Sequence, residues 1–235
     1  MTIKIKQGKP KDLFPEVSAI VSDCFGSVWT ADDLQQLIDF PHENKLFLVA
    51  YKDDKPIGYA FVVADYMDVV DTKVATVQEI GLLPEYREME IAEEFLDRAI
   101  QFSKANQAEL LEQVVSTIDQ WLIPVLIKKK LRPSEIKADR EISSTNEAKL
   151  IISNLKKNPK LTVLMNQLFF EQNDDLESHI IESEQDLDNL PRKDPIAFGS
   201  IISVNRAEEL DTILEELRKI DVEWDEIGIT FDYLF

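Results

Sequence analysis

The sequence predicts an α/β (α+β) fold, with strands and helices interleaved on one chain and a strand–helix–strand group at its C-terminal end. Three observations carry this. Apolar residues recur with period 2 in some segments and with a helical period in others, and the two kinds alternate up to residue 142. The strand-like segments 46–51 and 57–64 are joined by Lys52-Asp-Asp-Lys-Pro56, whose turn residues make a hairpin. After an acid-rich stretch, strand and helix patterns return over 196–235.

In order along the chain, residues 3–6 read as a short strand. Residues 11–25 read as a helix, with Val17, Ile20, Val21 and Phe25 on one face and Gly26 as its stop. Thr30 caps a second short helix with Asp33 three residues on, and Leu34, Leu37 and Ile38 form its apolar side. Residues 74–82 are a strand, and 87–105 a long helix whose Ile91, Phe95, Ala99 and Phe102 share a face. A weaker strand follows at 109–116. The segment 119–130 is helical, with Pro124 at a kink or in the first turns, and 133–142 returns as a strand. Residues 144–157 form a helix ending near Asn158-Pro159. The segment 161–170 fits either a buried strand or a helix with Pro159 at its first position. From 161 to 191 there is no Lys or Arg against eight acids, which predicts a solvated loop with a short helix. Residues 196–204 are a strand, Asn205 and Glu208 a capping box, Leu210, Ile213, Leu214 and Leu217 a helix face, and 227–235 a closing strand.

Composition narrows the function classes. Hydrophobic residues make up 44% of 235, enough for a substantial core. There is no run of 18 apolar residues to span a membrane, and residues 1–13 lack the apolar segment of a signal peptide, so a cytoplasmic location is expected. Cys24 is the lone cysteine and His42 and His179 are the two histidines; no intrachain disulfide, cysteine cluster or histidine-rich metal site can form, and no metal is expected. Formal net charge is −19, divided as −8 over residues 1–142 and −11 over 143–235. Such a surface repels nucleic acid and anionic membrane and favours cationic partners, while also serving plain solubility.

The stretch Gly81-Leu-Leu-Pro-Glu-Tyr-Arg-Glu-Met-Glu-Ile-Ala-Glu-Glu-Phe95 is a strand end, a turn and a helix start, the place where many proteins hold a phosphate on free N–H groups. Its Leu82-Leu83-Pro84-Glu85-Tyr86-Arg87 resembles the end of the fourth strand in the GNAT superfamily of N-acetyltransferases. So does the element order over 1–142. Pro124 to Pro133 is similar to the family's later helix and turn, with Lys130-Leu131 where Gly-Phe is usual. The resemblance implies a GNAT-like mixed, mainly antiparallel sheet flanked by helices over 1–170, with 143–158 as an inserted helix and 161–170 as the last strand. Residues 171–235 are then an acidic linker and a small α/β extension outside the resemblance.

The resemblance also implies a site. In this family a turn wraps the pyrophosphate of acetyl-CoA with backbone N–H groups, and the thioester lies in a splay between the fourth and fifth strands. The matching turn is Arg87-Glu88-Met89-Glu90-Ile91-Ala92, in which Glu90 stands where glycine is expected. Leu82 and Leu83 would line the pantetheine arm. A carboxylate about 6 Å from a phosphate costs roughly 3 kcal/mol at an effective dielectric of 20 and about 0.7 in water, so the departure matters only if Glu90 points inwards. The same glutamates also stabilise a helix start with no ligand at all. Glu79 occupies the place of the family's base, on a strand whose register decides which way it faces. The usual thiolate-protonating tyrosine maps to Leu126, which cannot donate, and the asparagine often paired with it maps to Asp119. Tyr66 and Tyr86 are substitute donors or packing residues. Trp29, Phe40 and Tyr66 fall in segments that form the acceptor side, Cys24 reads as core, and Lys128-Lys129-Lys130 as a helix end. The expected acceptor is an amine, small or on a protein and cationic. The alternative is a non-catalytic GNAT-fold binding module, and an exposed edge strand in the extension would allow a homodimer.

Overall fold

The computed structural model describes residues 3–25, 29–67, 71–87, 89–116, 119–172, 175–190, 194–220 and 222–235. The chain divides into two compact units, residues 1–131 with 231–235, and residues 132–230. Strand 161–170, expected to end the first domain, is therefore a member of the second unit.

In the first unit the strands are β1 (Ile3–Gly8), β2 (Asn44–Lys52), β3 (Lys55–Met67), β4 (Thr72–Leu82) and β5 (Leu110–Ser116), hydrogen-bonded in that order. β1 to β4 pair antiparallel and β5 runs parallel to β4. The β2–β3 hairpin turns on Asp53 and Asp54, both at positive φ (50° and 62°), the region acidic and amide turn residues tolerate best. Helices α1 (Pro10–Val17), α2 (Val21–Phe25) and α3 (Ala31–Asp39) cover one face. Their Leu13, Val17, Val21, Cys24, Leu34 and Ile38 pack on Phe47, Val49, Tyr59, Phe61 and Val63. The single helix expected over 11–25 is two helices: Pro15 lies inside α1, where it removes a backbone donor, and the chain re-forms as α2 at Val21. Thr30 and Asp33 make the expected reciprocal cap of α3.

The other face carries α4 (Met89–Ala105), which contacts β2, β3, β4 and β5, and α5 (Ile123–Lys128), which contacts α4. Ile91, Ala92, Phe95, Leu96 and Ala99 of α4 are at most 3% exposed, so its stripe is the core. Pro124 stands at the start of α5, where the missing N–H would have had no helical partner. The residues before it, Gln120–Leu122, are a 3₁₀ turn rather than the expected helix.

The second unit contains β6 (Arg132–Glu141), β7 (Val163–Gln172), β8 (Asp175–Ile180) and β9 (Ala197–Ser203), in the order β6, β9, β7, β8 and all antiparallel. Residues 226–230 of β10 (Glu226–Leu234) belong to it as well. Helices α6 (Thr145–Lys157), α7 (Glu184–Asp188) and α8 (Leu210–Lys219) complete it. The ambiguous 161–170 segment is a strand, because its alternate Leu168 and Phe170 are buried between neighbours on both sides. Two expectations fail here. Residues 175–180, read as a loop from their acids, pair with β7, whose backbone groups supply the ladder although Leu176, Glu177, Ser178 and Ile180 are all exposed. The helix near 210 is entered through a 3₁₀ turn with Arg206 at the cap position and no side-chain cap, so Asn205 and Glu208 form no capping box.

Candidate functional site

All candidate site residues lie in the first unit, and the decisive feature is a bulge in β4. Phe61 pairs with Glu79 and Val62 with Val77, which leaves Gln78 as an extra residue. Strict alternation from Thr76, opposite Val63, would have turned Glu79 towards the α4 face. The extra residue reverses it. Glu79 therefore shares a face with Tyr59, Phe61 and Gly81, under α2. Gly81 confirms the direction: a Cβ there would lie 2.7 Å from Tyr59 Cε1 and 3.0 Å from Phe25 Cε2.

Burial pushes the Glu79 carboxyl up to about 8, and the Asp119 carboxylate adds to the shift. Tyr59, wholly buried, is raised by burial first and by Glu79 second, so its hydroxyl keeps its proton. The Trp29 indole N–H lies close enough to that hydroxyl to oppose the shift, but not in the geometry of a full hydrogen bond, so both groups are buried with hydrogen-bonding capacity left unfilled among the described residues. Unpaired buried donors cost about 1–3 kcal/mol each, and such a cost is tolerated chiefly where a ligand or water can supply the partner. Asp119 is raised by burial, against the Trp121 Nε1–H that donates to it at 3.3 Å and the nearby Arg87 charge. Cys24 is pushed up to about 12 by burial, which leaves no thiolate near neutral pH. His42 Nδ1 is paired with Asp65 at 2.6 Å and does not serve Cys24. Cys24 is core.

β4 parts from β5 beside this group. Their parallel pairing covers Val74–Leu110 to Val77–Gln113 and goes no further, although β4 continues to Leu82 and β5 to Ser116. The Leu83 N–H donates to Ile57 O at 3.0 Å, so by alternation the main-chain groups of Ile80 and Leu82 face away from β3, into the gap. This is the splay the resemblance implied, and its walls are backbone donors and acceptors suited to an amide-bearing chain.

By helix geometry, the start of α4 beyond the gap leaves the N–H groups of Met89, Glu90 and Ile91 without a partner inside the helix. Glu88 lies outside the described residues. Glu90 and Glu85 are exposed. Glu93 is neutralised by Lys128 and Lys129, the latter 2.7 Å from Asp97 as well, and Glu94 by Arg98 at 2.8 Å. Lys128 and Lys129 thus do more than end a helix: they tie α5 to α4. Arg87 is turned inwards, with Nη2 donating to Cys24 O at 2.7 Å and Nε to Leu82 O at 3.4 Å, and its guanidinium is 5.5 Å from the Trp121 ring centre. Ile91 and Ala92 are buried, so their side chains offer nothing to an anion, and Ile91 can contribute only its backbone N–H.

Leu126 is wholly buried and has no proton to give. Tyr66 is 49% exposed and bonded to Asp71, and Tyr86 lies under Lys52; neither joins the Glu79 group. The hydroxyl that does, Tyr59, was missed in the sequence. Its signal was the period-2 set Tyr59, Phe61 and Val63, legible as one face of β3 but not as the partner of Glu79 without the bulge. Phe40 is 60% exposed and stacks loosely on His42.

Residues 14–123 match the Acetyltransferase (GNAT) family. Among solved structures, an acetyltransferase of the GNAT family from Streptococcus pneumoniae matches at 19% identity and TM-score 0.45, over 60% of this chain and 89% of the other. An N-acetyltransferase from Staphylococcus aureus Mu50 matches at 12% identity and TM-score 0.46, over 59% and 86%. Arabidopsis thaliana NAA60, solved with a bisubstrate analogue, matches at 11% identity and TM-score 0.45, over 87% and 99%. No curated protein matches the chain significantly.

Proposed function

We propose that the protein, whose residues 14–123 match the GNAT acetyltransferase family, transfers an acetyl group from acetyl-CoA to a cationic amine, with Glu79 as general base. The observation that carries this is the Gln78 bulge, which places a carboxyl of pKa about 8 beside the gap where β4 leaves β5.

Acetyl-CoA supplies the activated acyl group. The gap and the free N–H groups at the start of α4 suit its amide arm and pyrophosphate, with Leu82, Leu83 and residues 87–92 as the holding segments. An amine reaches the site as ammonium, drawn by the acidic surface and by Glu79 and Asp119. Glu79 takes its proton, and the neutral amine can then attack the thioester carbonyl. Tyr59, whose hydroxyl keeps its proton and whose nearest polar neighbour is the Trp29 indole N–H, is the candidate donor to the departing thiolate in place of Leu126. The Asp119 carboxylate raises the proton affinity of Glu79 through its charge, a positioning role. Because the base works deprotonated, kcat/KM is expected to rise with pH through about 8 and then level off; a flat profile from pH 6 to 9 would exclude Glu79.

Calorimetric titration with acetyl-CoA tests the binding half. Micromolar affinity is expected, and Glu90→Gly should tighten it by roughly three- to tenfold by removing a nearby charge and a Cβ from the turn. The second reading, a non-catalytic binding module, is favoured by the Arg87 side chain, which is committed to the Cys24 and Leu82 carbonyls. No heat at millimolar acetyl-CoA with either protein would select it.

A further inference from the structure

β8 (Asp175–Ile180) ends the strand order of the second unit, with β7 as its hydrogen-bonded neighbour among the described residues. The Ile181 N–H donates to Asn166 O at 2.8 Å. By the alternation of an antiparallel ladder, the main-chain groups of Glu177 and His179 then face β7, and those of Leu176, Ser178 and Ile180 face outwards. Leu176 is 66% and Ile180 58% exposed. An open edge with exposed apolar side chains is a template for another strand, and natural edges are usually blunted by Lys, Pro or a bulge. Leu176–Ile180 carries none of these.

What distinguishes this edge is that it complements itself. We propose that β8 pairs antiparallel with β8 of a second copy, about a two-fold axis at Ser178, to form a homodimer. In this register Ser178 opposes Ser178 and Leu176 opposes Ile180 of the other copy. All three outward-facing residues become hydrogen-bonded pairs, six backbone bonds in total by ladder geometry. Glu177 falls opposite His179 of the other copy, twice, at the non-hydrogen-bonded positions where side chains approach most closely. Within one chain these two already lie 3.4 Å apart on the strand face that His179 shares with Phe170. Sliding by one step in either direction that keeps the two-fold puts Glu177 opposite Glu177, or His179 opposite His179, and shortens the ladder. Charge, apolar pairing and backbone phase therefore select one register.

Six backbone bonds set against the cost of association give a weak dimer, with a dissociation constant on the order of 100 µM or above. Two chains of net charge −19 repel, so the dimer should tighten with added salt. The inference does not rest on the catalytic reading, because these residues are in the other compact unit.

Sedimentation equilibrium of the full chain, at several protein concentrations and in low and high salt, tests it. A monomer–dimer equilibrium strengthened by salt is expected, and Ser178→Pro, which removes a central outward N–H, should weaken it at least about tenfold. The register has its own test. Glu177→His places His opposite His, and His179→Glu places Glu opposite Glu, so each variant alone should be monomeric. Mixed, the two restore every Glu–His pair and should form the heterodimer. A monomer under all conditions overturns the proposal and leaves the edge to an extended peptide of another protein. So does a dimer that Ser178→Pro leaves intact, or a mixture of the two charge variants that stays monomeric while each keeps a native circular-dichroism melt.

Discussion

Glu79→Gln is expected to lower acetyl transfer by about 10²–10⁴-fold and, at pH 9, to raise the melting temperature. On the proposed mechanism, the first effect is the loss of the group that takes the ammonium proton. The second follows from the same burial. An ordinary glutamate ionises near 4.5, whereas Glu79 holds its proton up to about 8. Between those values the folded state binds more protons than the unfolded chain, so stability falls as pH rises through the window and is flat above it. The full penalty of ionising the buried carboxyl is on the order of 5 kcal/mol at most, and water entering the gap reduces it. A glutamine carries no such penalty. The variant should therefore melt at least about 5 °C above the parent at pH 9 and no higher than the parent at pH 5. A purely structural glutamate would give the stability effect and leave the rate unchanged. Equal melting temperatures at pH 9 would mean that Glu79 is solvated and not the poised base.

Gly58→Val is expected to cost on the order of 3 kcal/mol or more and to weaken acetyl-CoA binding together with stability. Gly58 sits on β3 opposite Leu82, the last residue of β4. A Cβ there would lie 2.2 Å from Leu82 Cδ2 and 2.6 Å from Gly81 O. The leucine tip can rotate away, but the carbonyl is backbone and cannot yield without moving β4. That movement would displace the end of the strand from which the Ile80 and Leu82 main-chain groups face the gap. A melting temperature lowered by roughly 10 °C is expected by scanning calorimetry. Unchanged stability would mean that β3 and β4 are not held at this close approach. A destabilised protein with unaltered acetyl-CoA affinity would show that the end of β4 does not contribute to the cosubstrate site.

Much of the fold was legible because its signals are local. The hairpin at Asp53-Asp54, the Thr30–Asp33 cap, the stripe of α4 and Pro124 at a helix start each depend on residues within one or two turns of each other. The elements misread were those whose neighbours decide. The helix expected over 11–25 runs through Pro15 to Val17 and gives way before α2 starts at Val21, as both pack on one sheet face, and residues 175–180 are a strand because β7 lies beside them. The family match of residues 14–123 was legible in the turn 82–87 for the same reason: a strand end, a proline and an arginine in fixed spacing form a local motif.

The sequence by itself determined the kinds of element, the family turn with glutamate in place of glycine, and the absence of a proton donor at Leu126. Tertiary structure decided what those residues face. One extra residue opposite Phe61 reverses Glu79 and joins it to Tyr59, and cross-strand register is a property of two segments that neither encodes alone. Salt bridges from α5 neutralise Glu93, while Glu90 turns to solvent, so the glutamate-rich helix start is less hostile to an anion than its composition suggests. Arg87 finds its partners on α2 and at the end of β4. Charges, strand faces and buried hydroxyls act through distances of a few ångströms, and only the folded chain sets those.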